Sequence, residues 1–428
     1  MPVERVERRP GTEADDRAAF FRQSGWLMLA NVGGGALMWA VHFLSRTTGP
    51  AEYGLFVTFL SLAMCIPTGP LQTVMAQQTA KALATNRQGE LAGLTRLVWL
   101  GTLGLWLMGA VVVWVLQNHI LAHWKVSNPA GLWITVTVLL WALWVPLFQG
   151  VLQGQQNFLW LGWSIMSNAI GRVAVAAVAV LALGGLAAGM MTGVLLGMAA
   201  AVLIAVWQTR RLWLARAQPF DWRGLLRQVV PLMLGCGAVQ FLFTADPMFV
   251  KSYFSRDEEV GFYDSAGTLA RALMWLVMPL ATVMFPRLVH STARGEKTDI
   301  MGLALVGTAI LSVVGAVGLS VVGPLAVRIV NGQRFVAVAS ALLPWYAAAM
   351  VPLALANVLV NALFARSCFR IVPPLCVLAL AYAFALTRFH DTFVMVLKTL
   401  GVFNLLLLAL CAWFTWADKA SRAGPQNS

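Results

Sequence analysis

The sequence has few charged residues. Asp, Glu, Lys and Arg make up only 11% of its 428 residues, while 59% are hydrophobic; a typical soluble domain is about 25% charged. Apolar runs long enough to cross a hydrocarbon layer about 30 Å thick recur from end to end. The composition therefore predicts an all-α, multi-pass integral membrane protein and excludes a soluble enzyme.

Cysteine and histidine are also scarce, at five residues each. Neither type has the spacing of a metal site, and no glycine-rich loop ending in lysine is present to cradle a nucleotide phosphate. We expect no metal, no ATP site and no cofactor. The cysteines are expected to be reduced packing residues, and they are Cys65, Cys236, Cys368, Cys376 and Cys411.

Charged and turn-forming clusters divide the apolar sequence into about twelve predicted transmembrane helices. The predicted spans are 23–45, 54–80, 94–117, 130–153, 158–182, 187–208, 228–254, 262–287, 300–323, 338–364, 371–388 and 392–415.

The basic residues predict the orientation of these spans. Residues 1–22 carry five Arg and five acidic residues and are predicted to form a disordered arm. If this arm is cytoplasmic, 20 of the 30 Lys and Arg residues fall on the inner side and seven on the outer side. Cytoplasmic loops of membrane proteins are rich in Lys and Arg. We therefore predict cytoplasmic termini, and we attribute the net charge of +13 to topology rather than to nucleic acid.

The predicted domains follow from the same division. An N-terminal six-helix bundle covers 23–208, and a C-terminal six-helix bundle covers 228–415. A basic cytoplasmic linker, 209–227, joins the bundles, and 416–428 form a cytoplasmic tail. Interleaved Arg and Trp in the linker are typical either of a helix lying at the membrane interface or of a simple topological anchor. Since no connection is long enough to hold a catalytic domain, we do not expect an enzyme.

A short polar segment occurs twice. "SRTTGPAEYGLF" at 45–56 follows the first span, and "SRDEEVGFY" at 255–263 follows the seventh. Both lie at an outer turn between the first and second helix of a six-helix set, which predicts two parallel repeats. Locally, Gly49, Pro50 and Glu52 suit a helix start.

With these motifs the chain resembles the polysaccharide and O-antigen flippases of the multidrug, oligosaccharidyl-lipid and polysaccharide exporter superfamily. The matching pieces are "GPAEYGLF" (49–56), "TADPMFVKSYFSRDEEVGFYDSAGTLARAL" (244–273) and "MFPRL" (284–288). The resemblance implies two bundles in a V around a central cavity that opens alternately to each side. It also implies a lipid-linked saccharide cargo, carried on a polyprenyl diphosphate anchor.

Ionisable residues inside a membrane need a partner, a water-filled cavity or a function. We assign three cations to binding of the cargo diphosphate, because Arg offers forked donors and Lys a point charge. These cations are Arg172, Arg271 and Lys398. Asn168, one turn before Arg172, and Asn31 in the first span are the predicted polar neighbours. For Lys398 the alternative is snorkelling to the interface.

The remaining polar candidates form a predicted coupling or gate group, which consists of Asp246, Lys251, Asp264 and His42. Two further interpretations of Asp246 stay open: a buried ion pair with Arg271 that joins helices, or a protonation site. Lys251 and Asp264 lie close enough to the outer interface to snorkel.

Taken together, the residues and the resemblance predict a flippase for a polyprenyl-diphosphate-linked saccharide. The alternatives are a multidrug or cation-coupled antiporter and a peptidoglycan-precursor flippase of the same superfamily. The predicted partners are the lipid-linked saccharide, membrane lipids and other polysaccharide assembly proteins. The oligomeric state is open, since a two-bundle carrier can work as a monomer.

Overall fold

The computed structural model describes residues 10–126, 128–220, 222–274, 300–365 and 368–422, and within these ranges it contains helices and no strands. The helices are α1 (Pro10–Ala40), α2 (Ser45–Thr48), α3 (Pro50–Met64), α4 (Thr68–Ala84), α5 (Gln88–His123), α6 (Pro129–Gly154), α7 (Phe158–Leu181), α8 (Leu186–Trp213), α9 (Trp222–Thr244), α10 (Asp246–Tyr253), α11 (257–274), α12 (Ile300–Val330), α13 (Gln333–Ala365), α14 (Val372–Arg388) and α15 (Phe393–Arg422).

Eleven stretches of this described chain are long and apolar enough to cross a membrane. They correspond to eleven of the twelve predicted spans. The remaining one, 262–287, begins within α11 and is described only as far as residue 274. The prediction of a multi-pass helical membrane protein is confirmed.

The helices form two bundles. In the N-terminal bundle, α1–α8, helix α7 packs along α8 and α1, and α6 packs against α4 and α8. In the C-terminal bundle, α9–α15, helix α13 lies between α12 and α15, and α14 packs against α9. The exact domain limits deduced from the sequence stay a prediction.

The start of the first helix corrects one prediction. Residues 1–22 were expected to be disordered, but α1 begins at Pro10. Pro at a first helical position loses no hydrogen bond, since the first amide groups of a helix have no internal acceptor. The prediction is therefore wrong for residues 10–22, and residues 1–9 lie outside the described residues.

The structure of the linker between the bundles contradicts one of the two sequence-based interpretations of this segment. Helix α8 runs to Trp213 and α9 begins at Trp222, and residues 214–220 between them are not helical. The linker instead lies against α5, where Arg96 donates hydrogen bonds to the carbonyl groups of Trp213 (2.9 Å) and Ala215 (2.7 Å). An interfacial helix is thus absent from the described part of the linker.

Proline divides two of the predicted spans. The second span is broken between α3 and α4, where Pro67 has an extended backbone. The seventh is broken at Ala245, between α9 and α10, just before Pro247. A proline inside a helix removes a backbone hydrogen bond and clashes with the preceding turn. Helix α13, in contrast, continues through Pro344 and Pro352.

The buried apolar side chains divide into two clusters. The larger cluster joins α3 and parts of α6–α8 to the whole C-terminal bundle. The smaller cluster lies mainly within the N-terminal bundle, between α4, α5, α6 and α8. The two bundles therefore share a core over only part of their length.

The bundles touch closely at the end of the molecule that carries the two repeated segments. We call this region, with residues 45–54, 255–261 and 331–333, the closed end. A Cβ atom built on Gly54 would lie 2.9 Å from the backbone nitrogen of Gly261, and one built on Gly261 would overlap the carbonyl group of Pro50. Only glycine allows the two backbones to approach so closely.

Gly261→Ala is expected to separate the bundles at the closed end. The new Cβ would clash with the backbone of Pro50, which cannot move aside without a cost in free energy. The measurement is labelling of a Ser45→Cys reporter by a membrane-impermeant maleimide. Ser45 is fully buried, so labelling should be slow in the parent protein and several-fold faster with Gly261→Ala.

Gly318→Ala is the matched control, because no atom lies within 4 Å of a Cβ built at that position in α12. Equal labelling rates in all three proteins would show that the closed end does not depend on this glycine contact.

Candidate functional site

A buried ion pair lies where α9 breaks. Asp246 occupies the first turn of α10, and its Oδ1 accepts a hydrogen bond from Nη2 of Arg271 at 2.8 Å. The Asp246 side chain is 0% exposed and that of Arg271 is 11% exposed. A carboxylate at a helix N-terminus is favoured by the helix dipole, and its charge is matched by the cation of α11. The sequence-based interpretation of a pair joining two helices is confirmed.

Two tyrosines complete this cluster. The hydroxyl group of Tyr263 donates to Oδ2 of Asp246 at 2.7 Å, and the hydroxyl group of Tyr346 donates to the same oxygen. Arg271 also donates to Tyr346 (2.6 Å) and to the backbone carbonyl of Phe243 (3.2 Å). The ion pair is thus held by α9, α10, α11 and α13, which suits a rigid polar joint within the C-terminal bundle.

These tyrosines are not among the residues predicted from the sequence. The chain has only five Tyr, and four of them, Tyr53, Tyr263, Tyr346 and Tyr382, are fully buried. A buried phenol generally needs a hydrogen-bond partner. The rarity of Tyr among so many Phe and Trp residues was the available signal.

Arg172 in the N-terminal bundle lacks such partners. Within the described chain it forms no ion pair, and its buried Nε has no hydrogen-bond partner. Its backbone and that of Asn168 lie against Gly197 of α8. Ser164, one turn earlier, accepts from Gln149 and donates to the carbonyl of Ala201, both at 3.0 Å. That face of α7 therefore packs against α8, and Arg172 carries an uncompensated charge.

The other predicted cargo residues are dispersed. Lys398 is exposed and lies 5.5 Å from the ring centre of Trp345, in a cation–π contact. Asn31 is exposed and donates to the carbonyl of Leu27 in its own helix at 2.8 Å. Among the described residues no direct contact joins Arg172, Arg271 and Lys398, so their common role stays a prediction.

A chain of hydrogen bonds crosses between the bundles at the closed end. Nδ1 of His42 lies 2.9 Å from the hydroxyl group of Tyr53, which donates to Oγ1 of Thr268 in α11 at 3.0 Å. A second chain runs from Ser265 through Asn331 to Ser45, with distances of 2.8 Å and 2.9 Å. Side chains rather than backbone groups make these bonds, so they can be broken without unfolding a helix.

Lys251 and Asp264 do not snorkel, which corrects the sequence-based expectation. Lys251 is 2% exposed, and its Nζ pairs with Oδ1 of Asp257 at 2.8 Å. Asp264 is 0% exposed, and neither of its carboxyl oxygens has a hydrogen-bond partner among the described residues. Both residues lie within the protein rather than at its lipid-facing surface.

The ion pair is tested by a double-mutant cycle. Asp246→Asn leaves the Arg271 cation buried without its counter-charge. Arg271→Gln likewise leaves the Asp246 carboxylate buried without its counter-charge. Breaking a buried pair from one side costs about 3 to 5 kcal/mol. We expect each single variant to lower the thermal unfolding temperature in detergent and the double variant to recover most of the loss.

Arg256→Gln is the control for Arg271→Gln, since its side chain is 81% exposed and its pair with Glu259 lies on the surface. Additive effects of Asp246→Asn and Arg271→Gln would contradict a coupled structural pair.

Solved structures with a similar fold include two kinds of transporter. An inward-facing multidrug resistance transporter of the MATE family, in the MOP superfamily, aligns with a TM-score of 0.72 at 11% identity, over 91% of this chain and 96% of that chain. The lipid II flippase MurJ in an inward closed conformation aligns with a TM-score of 0.70 at 11% identity, over 91% and 87% of the two chains. At such identities the likeness shows a shared fold.

Sequence comparison gives a family. Curated proteins contain no match to this chain. A family model described as "Polysaccharide biosynthesis protein" matches residues 20–291, which is more than half of the chain. The match covers the two repeated segments, the closed-end glycines and the Asp246–Arg271 pair. The chain is a multi-pass membrane protein that belongs to the polysaccharide biosynthesis protein family.

Proposed function

We propose that this protein flips a polyprenyl-diphosphate-linked saccharide across the bacterial cytoplasmic membrane by alternating access, for synthesis of a cell-surface polysaccharide. Family membership supports a role in polysaccharide synthesis. The observation that carries the proposed cargo is the uncompensated Arg172 in the N-terminal bundle.

The proposed role of Arg172 is electrostatic. A cation held inside a membrane costs about 2.5 to 3.5 kcal/mol on insertion scales, and the described chain offers Arg172 no acidic partner. The energetic cost of this cation is offset when an anion binds to it. A diphosphate carries two to three negative charges and offers oxygens in the geometry that a guanidinium group binds.

Arg271 plays a different part in this proposal. Because its charge is matched by Asp246 and it also bonds to Tyr346 and Phe243, it contributes little net attraction for an anion. Lys398 is exposed, and among the described residues it contacts Trp345 but forms no ion pair, so it serves as a second cation along the cargo path. Asn168 and Asn31 are the candidate contacts for polar groups of the cargo.

Alternating access is supported by the contacts between the bundles. They share a core at the closed end but not through the α4–α5 region of the N-terminal bundle. The hydrogen bonds through His42 and Asn331 then act as a gate that opens when the bundles rock apart. We assign the closed end to the outer face and both termini to the cytoplasm, on the distribution of Lys and Arg.

A cation-coupled antiporter is the second candidate, and Asp264 favours it. A fully buried carboxyl group without hydrogen-bond partners is suited to exchange a proton or to hold a cation, as a coupled carrier requires. The two candidates differ in their cargo, since Arg172 would repel a cationic drug. A peptidoglycan-precursor flippase shares the diphosphate chemistry and differs in the saccharide.

Arg172→Ala should abolish translocation of the cargo at normal protein abundance, and Arg172→Lys should restore it only in part, because Lys lacks the forked donors. The measurement is the amount of lipid-linked saccharide on the cytoplasmic leaflet, with surface polysaccharide as the second readout. We expect accumulation inside and loss of at least ten-fold at the surface.

Arg211→Ala removes one cation from an exposed position at the end of α8 and is the control for net charge. Normal surface polysaccharide with Arg172→Ala would remove Arg172 from the cargo path.

A further inference from the structure

A basic cavity of about 580 Å³ lies at the closed end, outside the ion pair and the Arg172 region. Three arginines line it: Arg46 from α2, Arg328 from the last turn of α12, and Arg334 from the first turn of α13. The other lining residues are Ser45, Gly49, Leu325, Ile329, Asn331, Gly332, Gln333 and Phe335, none of them acidic.

The three guanidinium groups are not neutralised by any acidic side chain in the part of the chain that the structure describes. Arg46 makes one long hydrogen bond, at 3.4 Å, to the backbone carbonyl of Arg328. The nearest acidic residue in sequence to Arg46, Glu52, accepts instead from the backbone nitrogen of Ala187 at 3.1 Å. Like charges brought to one cavity repel each other, and an anion placed between them relieves the repulsion.

One helix start adds to this positive field. Gly332, which lines the cavity and has φ of +95°, directly precedes α13. The first amide groups of a helix have no internal acceptor and carry a partial positive charge. Arginines together with helix N-termini form the kind of site that binds phosphate.

The cavity borders an exposed apolar face of α12. Leu325 and Ile329, which line the cavity, are 55% and 50% exposed, and Val321, one turn further along, is 75% exposed. In a membrane protein such a face contacts lipid chains. A phosphate held by the arginines could therefore belong to an amphiphile whose chain lies along α12.

We infer that this cavity binds a phosphate group carried by a lipid. Arg46 comes from the N-terminal bundle, and Arg328 and Arg334 come from the C-terminal bundle, so the bound phosphate bridges the two. A ligand can contact both bundles at once only when the bundles meet, so its binding stabilises the closed end. Two lipids offer this chemistry: an anionic phospholipid, and the polyprenyl diphosphate carrier. Identifying the lipid as the polyprenyl diphosphate carrier rests on the proposed function. The inference that the cavity binds a lipid phosphate does not depend on it.

The test is lipid binding to the purified full-length protein by native mass spectrometry from a neutral detergent. Phosphatidylglycerol, a short polyprenyl diphosphate and phosphatidylcholine are titrated separately. The test variant combines Arg46→Gln, Arg328→Gln and Arg334→Gln. Arg256→Gln, an exposed arginine at the same end that is outside the cavity, is the control for loss of outer-face charge.

We expect the triple variant to bind the favoured anionic lipid at least ten-fold more weakly than the parent, with the control within two-fold and phosphatidylcholine bound weakly by all three. Loss of phosphatidylglycerol alone identifies a phospholipid site, and loss of polyprenyl diphosphate alone identifies a carrier site. Loss of binding of both lipids shows that the cavity recognises the phosphate group rather than the lipid chain. Equal binding by the triple variant and the control would overturn the inference.

Protein stability provides a second readout. The favoured lipid should raise the unfolding temperature of the parent but not that of the triple variant, since a ligand stabilises the state it binds. Without added lipid the triple variant should unfold at the same temperature as the parent or a slightly higher one, because it loses the repulsion between three arginines that make no ion pairs within the described chain. Both readouts are independent of transport, so a failure of the proposed cargo at Arg172 would leave the binding result intact.

Discussion

A hydrocarbon layer offers no hydrogen bonds, so a transmembrane helix can break only where protein covers the freed backbone groups. This constraint explains where the two broken spans lie. The break after α3 and the break after α9 face each other between the bundles, with Sγ of Cys65 3.4 Å from Oγ1 of Thr244. Cys65 is a free thiol, and this contact is a weak hydrogen bond between the two breaks. The break at Ala245 also presents Asp246 at the start of α10, which brings its carboxylate to Arg271.

The buried charges are arranged differently in the two bundles. In the C-terminal bundle Asp246, Arg271 and their tyrosines form a neutral group that holds four helices together, a role for which buried polar networks need every member satisfied. In the N-terminal bundle Arg172 has no matching acid in the described residues. The polar group of the C-terminal bundle thus holds its helices together, whereas the N-terminal bundle contains a cation, Arg172, that is free to bind an anion. Under the proposed function, this division lets Arg172 hold an anionic cargo briefly and then release it.

Much of the fold could be predicted, because apolar length and proline position are local properties. The spans and the break near Pro67 follow from them. Which helices face each other is not a local property. Tyr346 is far from Asp246 in sequence, and no periodicity indicates that α13 lies beside α10. Lys251 was expected to reach the interface because it lies near a span end, but Asp257 is close enough to hold it inside. The helical start of α1 was missed because its charges resemble those of a disordered segment. The arginines of the closed-end cavity were counted only as loop charges, since the cavity exists only when both bundles are in place.

The contact between Gly54 and Gly261 has a geometric consequence. These glycines occupy equivalent positions in the two repeated segments, "EYG" and "EVG". Equivalent points of two bodies related by a two-fold rotation can touch only on the rotation axis itself. If a two-fold axis relates the two predicted repeats, it therefore passes between these two residues. Two main chains meet there with no side chain between them, so a passage along such an axis would be closed at this end by direct backbone contact.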